Sequence, residues 1–244
     1  MGLSSKWLLG VEGIRALYEY SISWYLHSII YGLSPHGDGH PVIVLPGLGT
    51  TDRSTQFIRH YIDEIGYESF SWGMGRNLGP RQGFDPLIQD LVARIEKIYE
   101  ISGNRQVSII GWSLGGIYAR EIAKKCPDKV RQVITLGTPF KDASNGTNIK
   151  LLYEILSKDK SHKNATLVKR IAQKPPVPFT SIYSKTDGVV HWESSLEEET
   201  SISENIEIPN ASHLGLGHNP FTMLVIANRL LQSKENWKLY NDKL

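Results

Sequence analysis

The chain has 244 residues, 40% hydrophobic and 21% charged, enough to bury one sizeable core in an ordinary globular protein. Lys plus Arg number 27 against 25 Asp plus Glu, too near balance for the electrostatic footprint that binding a nucleic-acid backbone demands. The one cysteine, Cys126, cannot form an intramolecular disulfide, and no Cys/His cluster with zinc spacing accompanies it, so no metal or other cofactor is expected.

The stretch before about residue 34 is the most apolar of the chain, but Glu12, Arg15 and Glu19 interrupt it as no secretory h-region is interrupted. Trp7, Val11, Ile14, Tyr18, Ile22, Tyr25 and Ile29 recur every three or four positions, with Glu12, Arg15, Glu19, Ser23 and His27 on the other side. The pattern predicts one long amphipathic helix. Its apolar stripe is expected to face its own domain, a second copy in a homodimer, or a membrane surface. Trp7, Tyr18, Tyr20, Trp24, Tyr25 and Tyr31, each an apolar body with a polar tip, suit the last of these. A membrane span is disfavoured, because the apolar run over 16–31 falls short of the ~20 residues needed and carries Glu19. A cytoplasmic protein is expected, with peripheral membrane attachment as the variant. Residues 34–40 read as a linker, dividing the chain into a helix with linker (1–40) and a main domain (41–244).

From Pro41 onward, β-branched runs alternate with helical patterns, which signals βαβ units. VIVL at 42–45 comes first, then a helix over 54–65, YESFSW at 67–72 and a helix over 85–101. VSIIGW at 107–112 is the central strand, followed by a helix over 113–125 and VITLG at 133–137. FTSIYS at 179–184, ENIEI at 204–208 and a helix over 221–231 close the pattern. An α/β fold results, with a mostly parallel sheet of about six strands and helices on both faces. Residues 140–178 interrupt it with two helical patterns, near 149–156 and 166–172, and read as a small helical cap. That cap carries eight basic residues against three acidic ones.

One motif carries chemistry: Gly111-Trp112-Ser113-Leu114-Gly115, where a buried strand ends and a helix begins. A sharp turn there can present a hydroxyl at the top of a sheet. A serine hydroxyl needs a base, and a base needs an orienting acid. His213 follows the last strand, in PNASHLGL, with His218 as the fallback. Asp187, in YSKTDGVV after the fifth strand, is the candidate acid, with Glu193 as the alternative. The N–H groups of Leu114, at the helix start, and of Leu48, in Pro46-Gly47-Leu48-Gly49-Thr50, are placed for a developing oxyanion.

With these four elements in order, the chain resembles the α/β-hydrolase fold family, in particular small lipases and esterases related to the bacterial class 2 lipases. The resemblance covers about 41–232 and rests on VIVLPGLGTTD, VSIIGWSLGG, VITLGTPF, TSIYSKTDGVV and PNASHLGL. It implies a catalytic triad of Ser113, Asp187 and His213, an oxyanion hole at Leu48 and Leu114, and ester hydrolysis through an acyl-enzyme. Many relatives begin the oxyanion turn with His-Gly, whereas this chain has Pro46-Gly47. Trp72, Met74, Trp112 and Leu214 are expected to line an acyl site, and Arg76 and Asn77 to bind a carboxylate or carbonyl. The expected partner is a small-molecule or lipid ester. An acyltransferase or thioesterase with the same triad is the alternative, and a non-catalytic hydrolase-fold binding protein is less favoured.

Overall fold

The computed structural model describes residues 3–141 and 163–241. Six strands form one sheet: β1 (Pro41–Leu45), β2 (Glu68–Ser71), β3 (Val107–Trp112), β4 (Val130–Leu136), β5 (Phe179–Tyr183) and β6 (Ser203–Glu207). Every pairing is parallel and the order is β2-β1-β3-β4-β5-β6. β1 and β3 are buried along their whole length, which is why their sequences do not alternate apolar with polar; the one hydroxyl within them, Ser108, is buried too.

Helices α2 (Gln56–Glu64) and α6 (Pro220–Leu230) cover one face, burying Val42, Val44, Ile110, Ile134, Ile182 and Ile206. On the other face, α3 (Phe84–Ile101), α4 (Leu114–Lys125) and α5 (Lys163–Ala172) cover Ile43, Leu45, Ile109, Val133 and Phe179. α3 shows why such segments fold as they do: Ile88, Leu91, Ile95 and Ile98 fall on one side and are all buried. α6 starts cleanly because Asn219 accepts a hydrogen bond from the Phe221 N–H at 2.9 Å and Pro220 occupies its first turn. Strand succession reverses beside β1, since β2 adds on one side of it and β3 on the other. In an open parallel sheet such a reversal opens a crevice at the carboxyl ends of the two diverging strands.

The N-terminal helix α1 (Leu3–Leu33) forms as one element and packs on α6 and on the short 3-10 turn Gly215–Gly217. Of the settings expected for its apolar stripe, packing on its own domain is not the one seen: the polar side faces the domain and most of the apolar stripe faces outward. Glu12 is 4% exposed and Ser23 0%, whereas Ile14 is 74% and Tyr25 85% exposed. The reason is local: the loops under α1 present main-chain N–H and C=O groups that its polar side chains satisfy. Arg15 Nη1 donates to the Thr186 carbonyl at 2.7 Å, and Ser23 Oγ donates to the carbonyl of His218. A net gain of roughly 1.5–3 kcal/mol for a charged hydrogen bond makes such a face competitive with an apolar one.

β4 begins three residues before the predicted run, because Val130 is buried and paired in register with Val107. Of the two predicted cap helices, the second appears as α5, lying against α4. The first, near 149–156, lies outside the described residues, as does the middle of the expected cap.

Candidate active site

Ser113 stands between β3 and α4 at φ 53° and ψ −120°, a left-handed backbone that a non-glycine residue adopts only under strain of about 1–3 kcal/mol. The sequence permits the corner by removing side chains where strand and helix cross. A Cβ at Gly111 would lie 2.4 Å from Gly116 Cα, and one at Gly115 would lie 2.4 Å from the Leu45 carbonyl oxygen. The Ser113 N–H donates to the Leu136 carbonyl at 2.8 Å, and Thr138 Oγ1 donates to the Ser113 carbonyl at 3.0 Å. These bonds hold the corner shut.

Ser113 borders a cleft of about 600 Å³ whose walls include Leu48, Trp112, Leu114, His213 and Leu214. The imidazole of His213 donates from Nδ1 to Asp187 Oδ2 at 2.7 Å, which leaves Nε2 as the basic nitrogen of the ring. The other Asp187 oxygen accepts the N–H groups of Val189 and Val190, at 2.8 and 2.7 Å. Burial pulls the His213 imidazole toward its neutral form. The charge and hydrogen bond of Asp187, with the charge of Glu12, outweigh burial and hold it above the usual histidine range.

His218 borders the same cleft, but its Nδ1 faces the Leu214 carbonyl at 3.2 Å and its ring is flanked by Tyr20, Phe57 and Trp112. Burial pushes it below its ordinary pKa. Glu193 lies in the 3-10 turn Trp192–Ser195, 3.8 Å from His191 Nδ1; the carboxylate on His213 is that of Asp187.

The turn after β1 approaches Ser113 closely: a Cβ at Gly47 would sit 3.4 Å from Ser113 Cβ. Asn77 holds this turn from behind. Its Nδ2 donates to the Pro46 carbonyl at 2.8 Å, its carbonyl accepts the Gly49 N–H at 2.6 Å, and its own N–H donates to the Thr50 carbonyl at 2.8 Å. Tyr118 in turn donates to Asn77 Oδ1 at 3.3 Å. Asn77 is fully buried, so a residue expected at the substrate instead supports this turn, which here begins Pro46-Gly47.

Trp72, Met74 and Arg76 are not brought to the Ser113 cleft. They line a separate hollow of about 320 Å³, with the Trp72 indole N–H donating to the Gly75 carbonyl at 2.9 Å. The carboxylate of Asp52 accepts the N–H groups of Trp72 and Gly73, at 3.0 and 3.3 Å, and so fixes where this loop leaves β2.

Sequence reasoning placed the N-terminal helix over the acyl site but missed the part that its two carboxylates play. Gly13, Ala16, Leu17 and Tyr20 line the cleft. Glu12 Oε1 accepts the Gly188 N–H at 2.7 Å and Oε2 accepts the Leu214 N–H at 3.3 Å, so one carboxylate ties down the residues next to Asp187 and His213. Glu19 accepts the Ser212 N–H at 2.8 Å. α1 passes so near that a Cβ at Gly188 would lie 2.6 Å from the Leu8 carbonyl carbon. The signal was present as two carboxylates, seven positions apart, in the most apolar stretch of the chain.

A second Ser-His-Asp string runs through Ser108, His40 and Asp38. His40 Nε2 lies 2.8 Å from Ser108 Oγ and Nδ1 lies 2.6 Å from Asp38 Oδ1. Ser108 and His40 are buried at the amino ends of β3 and β1, so the string ties the linker to the sheet. Among the described residues no group of three or more His, Cys, Asp or Glu is placed to hold a metal ion, and no helix is long and apolar enough to cross a membrane.

Comparison with known proteins gives a family match over residues 40–176, to the hydrolase family described as serine aminopeptidase, S33. A triacylglycerol lipase of Pseudarthrobacter phenanthrenivorans is 24% identical over 135 residues, covering 53% of this chain and 41% of that one. A pimeloyl-[acyl-carrier protein] methyl ester esterase of Aliivibrio fischeri (strain MJ11) is 28% identical over 111 residues, covering 42% and 38%. In both, the match spans about two fifths of the relative's length. Aspergillus fumigatus lipase B superposes with a TM-score of 0.62 at 18% identity, over 82% of this chain and 55% of that one. Bacillus licheniformis lipase BlEst2 gives 0.58 at 16% identity, over 81% and 94%. At such identities the superpositions establish a shared fold.

Proposed function

The chain belongs to the hydrolase family described as serine aminopeptidase, S33, and from that premise and the make-up of the cleft we propose that it hydrolyses carboxylic esters through a serine acyl-enzyme. One observation carries this reading: Ser113 and His213 border one apolar cleft, His213 is bonded to Asp187, and no carboxylate side chain is among the described residues lining that cleft. An enzyme that trims peptides from the amino end needs an anion for the substrate's ammonium group. An apolar wall suits an acyl chain instead. The lipase and esterase names of the partial relatives agree with it.

In this reading Ser113 Oγ attacks the ester carbonyl carbon as His213 Nε2 takes its proton, and Asp187 stabilises the imidazolium that forms. The carbonyl oxygen becomes an oxyanion between the N–H groups of Leu48 and Leu114, the latter at the positive end of the α4 dipole. Collapse of the tetrahedral intermediate breaks the bond to the alcohol oxygen, which leaves with the proton held by His213. Water, deprotonated by the same nitrogen, then attacks the acyl-enzyme and releases the acid.

Labelling by a fluorophosphonate, followed by turnover of matched ester and aminoacyl-anilide substrates, tests the proposal. The intact chain is expected to label and to prefer the ester, and Ser113→Ala to lose labelling with kcat down by about 10⁴- to 10⁶-fold. A labelled Ser113→Ala protein, or preference for the anilide, would overturn it.

A further inference from the structure

α1 turns its charges inward and its aromatic rings outward. Both carboxylates of the helix, Glu12 and Glu19, are buried against the domain, so its outward face carries no negative charge. That face consists chiefly of Trp7, Ile14, Tyr18, Trp24, Tyr25 and Ile29, every one of them more than half exposed. The stripe from Trp7 to Ile29 is ~33 Å long at 1.5 Å per residue. A contiguous apolar strip of this kind on a folded protein marks an interaction surface.

The geometry points to a lipid bilayer surface as the occupant: we infer that α1 lies along the membrane by this face and sets the mouth of the Ser113 cleft against the lipid. The inference rests on the ester-hydrolase reading for what the cleft receives, but the docking itself does not require turnover. Three observations favour a bilayer over a second copy of the chain. Trp and Tyr side chains, with apolar bodies and polar tips, suit the boundary between headgroups and acyl chains. The absence of outward carboxylates on α1 removes repulsion from anionic headgroups. Most telling, Leu17 is both 67% exposed on α1 and a wall of the cleft, and Leu48 and Leu214, at the same cleft, are also exposed. A second copy seated there would cover the opening, whereas a bilayer would supply it with an acyl chain. The helix lies on the surface rather than across it, because crossing would carry Glu12 and Glu19 out of their hydrogen bonds and into hydrocarbon.

Binding of the full chain to vesicles of phosphatidylcholine with a minority of phosphatidylglycerol is the test, read by co-sedimentation and by quenching of tryptophan fluorescence with brominated lipid. The unsubstituted protein is expected to sediment and to be quenched. A variant carrying Trp7→Ser, Tyr18→Ser, Trp24→Ser and Tyr25→Ser should bind roughly 100-fold more weakly. All four side chains are at least 66% exposed and none lines the cleft, so hydrolysis of a short water-soluble ester should be unchanged. Absence of sedimentation and quenching in the unsubstituted protein, or equal binding by the variant, overturns the inference. So does a dimer in sedimentation velocity that the four substitutions dissolve. Vesicle binding by a chain that turns over no ester would sink the hydrolase reading alone; ester turnover without vesicle binding would sink the docking alone.

Discussion

Replacing Glu12 with glutamine probes the tie between α1 and the candidate acid and base. The native carboxylate gives one oxygen to the Gly188 N–H and the other to the Leu214 N–H. A glutamine of the same shape has one acceptor, so one of the two N–H groups is left facing an amide NH₂, at a cost of roughly 1–3 kcal/mol when it is the buried one, that of Gly188. If that loss appears as misalignment of the imidazole in the transition state, kcat falls by about 5- to 150-fold, at 1.36 kcal/mol per decade. KM for a short ester should hardly move. The charge acts separately. Glu12 is one of two carboxylates that hold His213 above the usual histidine range, and the other is Asp187. Arg15 lies 3.5 Å from Glu12, and burial holds His218, behind the same loop, below its usual range. Removing the Glu12 charge therefore lowers the His213 pKa. Since the base must be unprotonated to accept the serine proton, the acid limb of kcat/KM moves to lower pH. A pH–rate profile on a soluble chromogenic ester measures the limb, and a thermal melt separates it from stability. Glu19→Gln is the control, being buried on the same helix and bonded to Ser212 but not among the charges acting on His213. A Glu12→Gln protein that melts lower but keeps its acid limb in place would refute the reasoning and leave α1 as a brace only.

Asp187→Asn should keep the fold and lower kcat by about 10⁴-fold, because the amide no longer enforces the Nδ1–H tautomer; single-turnover kinetics would show it. Asn77→Ala should loosen the Pro46–Thr50 turn and lower kcat by about 10²- to 10³-fold with little change in KM, the signature of a displaced oxyanion donor. His40 is held down to about 4 by its burial and by Arg131. Between the ordinary histidine value of 6.5 and that value the unfolded chain binds the proton and the folded chain does not, so stability falls as pH drops through this window. The fall amounts to about 3 kcal/mol, and in urea unfolding His40→Gln should flatten it.

Much of the sheet was legible because the buried parallel strands are rich in Val and Ile and do not alternate apolar with polar. VSIIGW at 107–112 coincides with β3, and the other five strands are displaced by one to three residues at most at either end. The turn at Ser113 was legible for a different reason: the crossing of strand and helix leaves no room for a Cβ at Gly111 or Gly115, and that constraint is visible in the letters. The facing of α1 was not. Periodicity reveals two stripes but not which is inward, and the usual assumption puts the polar one in water. Here main-chain N–H groups at Gly188, Ser212 and Leu214 required acceptors, and no local pattern announces a donor on a loop some 200 residues away. Trp72, Met74 and Arg76 went astray similarly, because a position at the carboxyl edge of the sheet does not tell which side of a loop faces the cleft.

Most of what α1 grips is main chain: the carbonyls of Thr186, Asn210 and His218 and the amides of Gly188, Ser212 and Leu214. Such an attachment is largely blind to the identity of the loop side chains. Val189, Val190 and Leu214, which border the cleft from those same loops, can therefore be exchanged to fit a longer, shorter or branched substrate without unfastening the helix. Gly188 is the exception, since any side chain there would collide with α1. A library aimed at altering selectivity should randomise the three neighbours and leave that glycine alone.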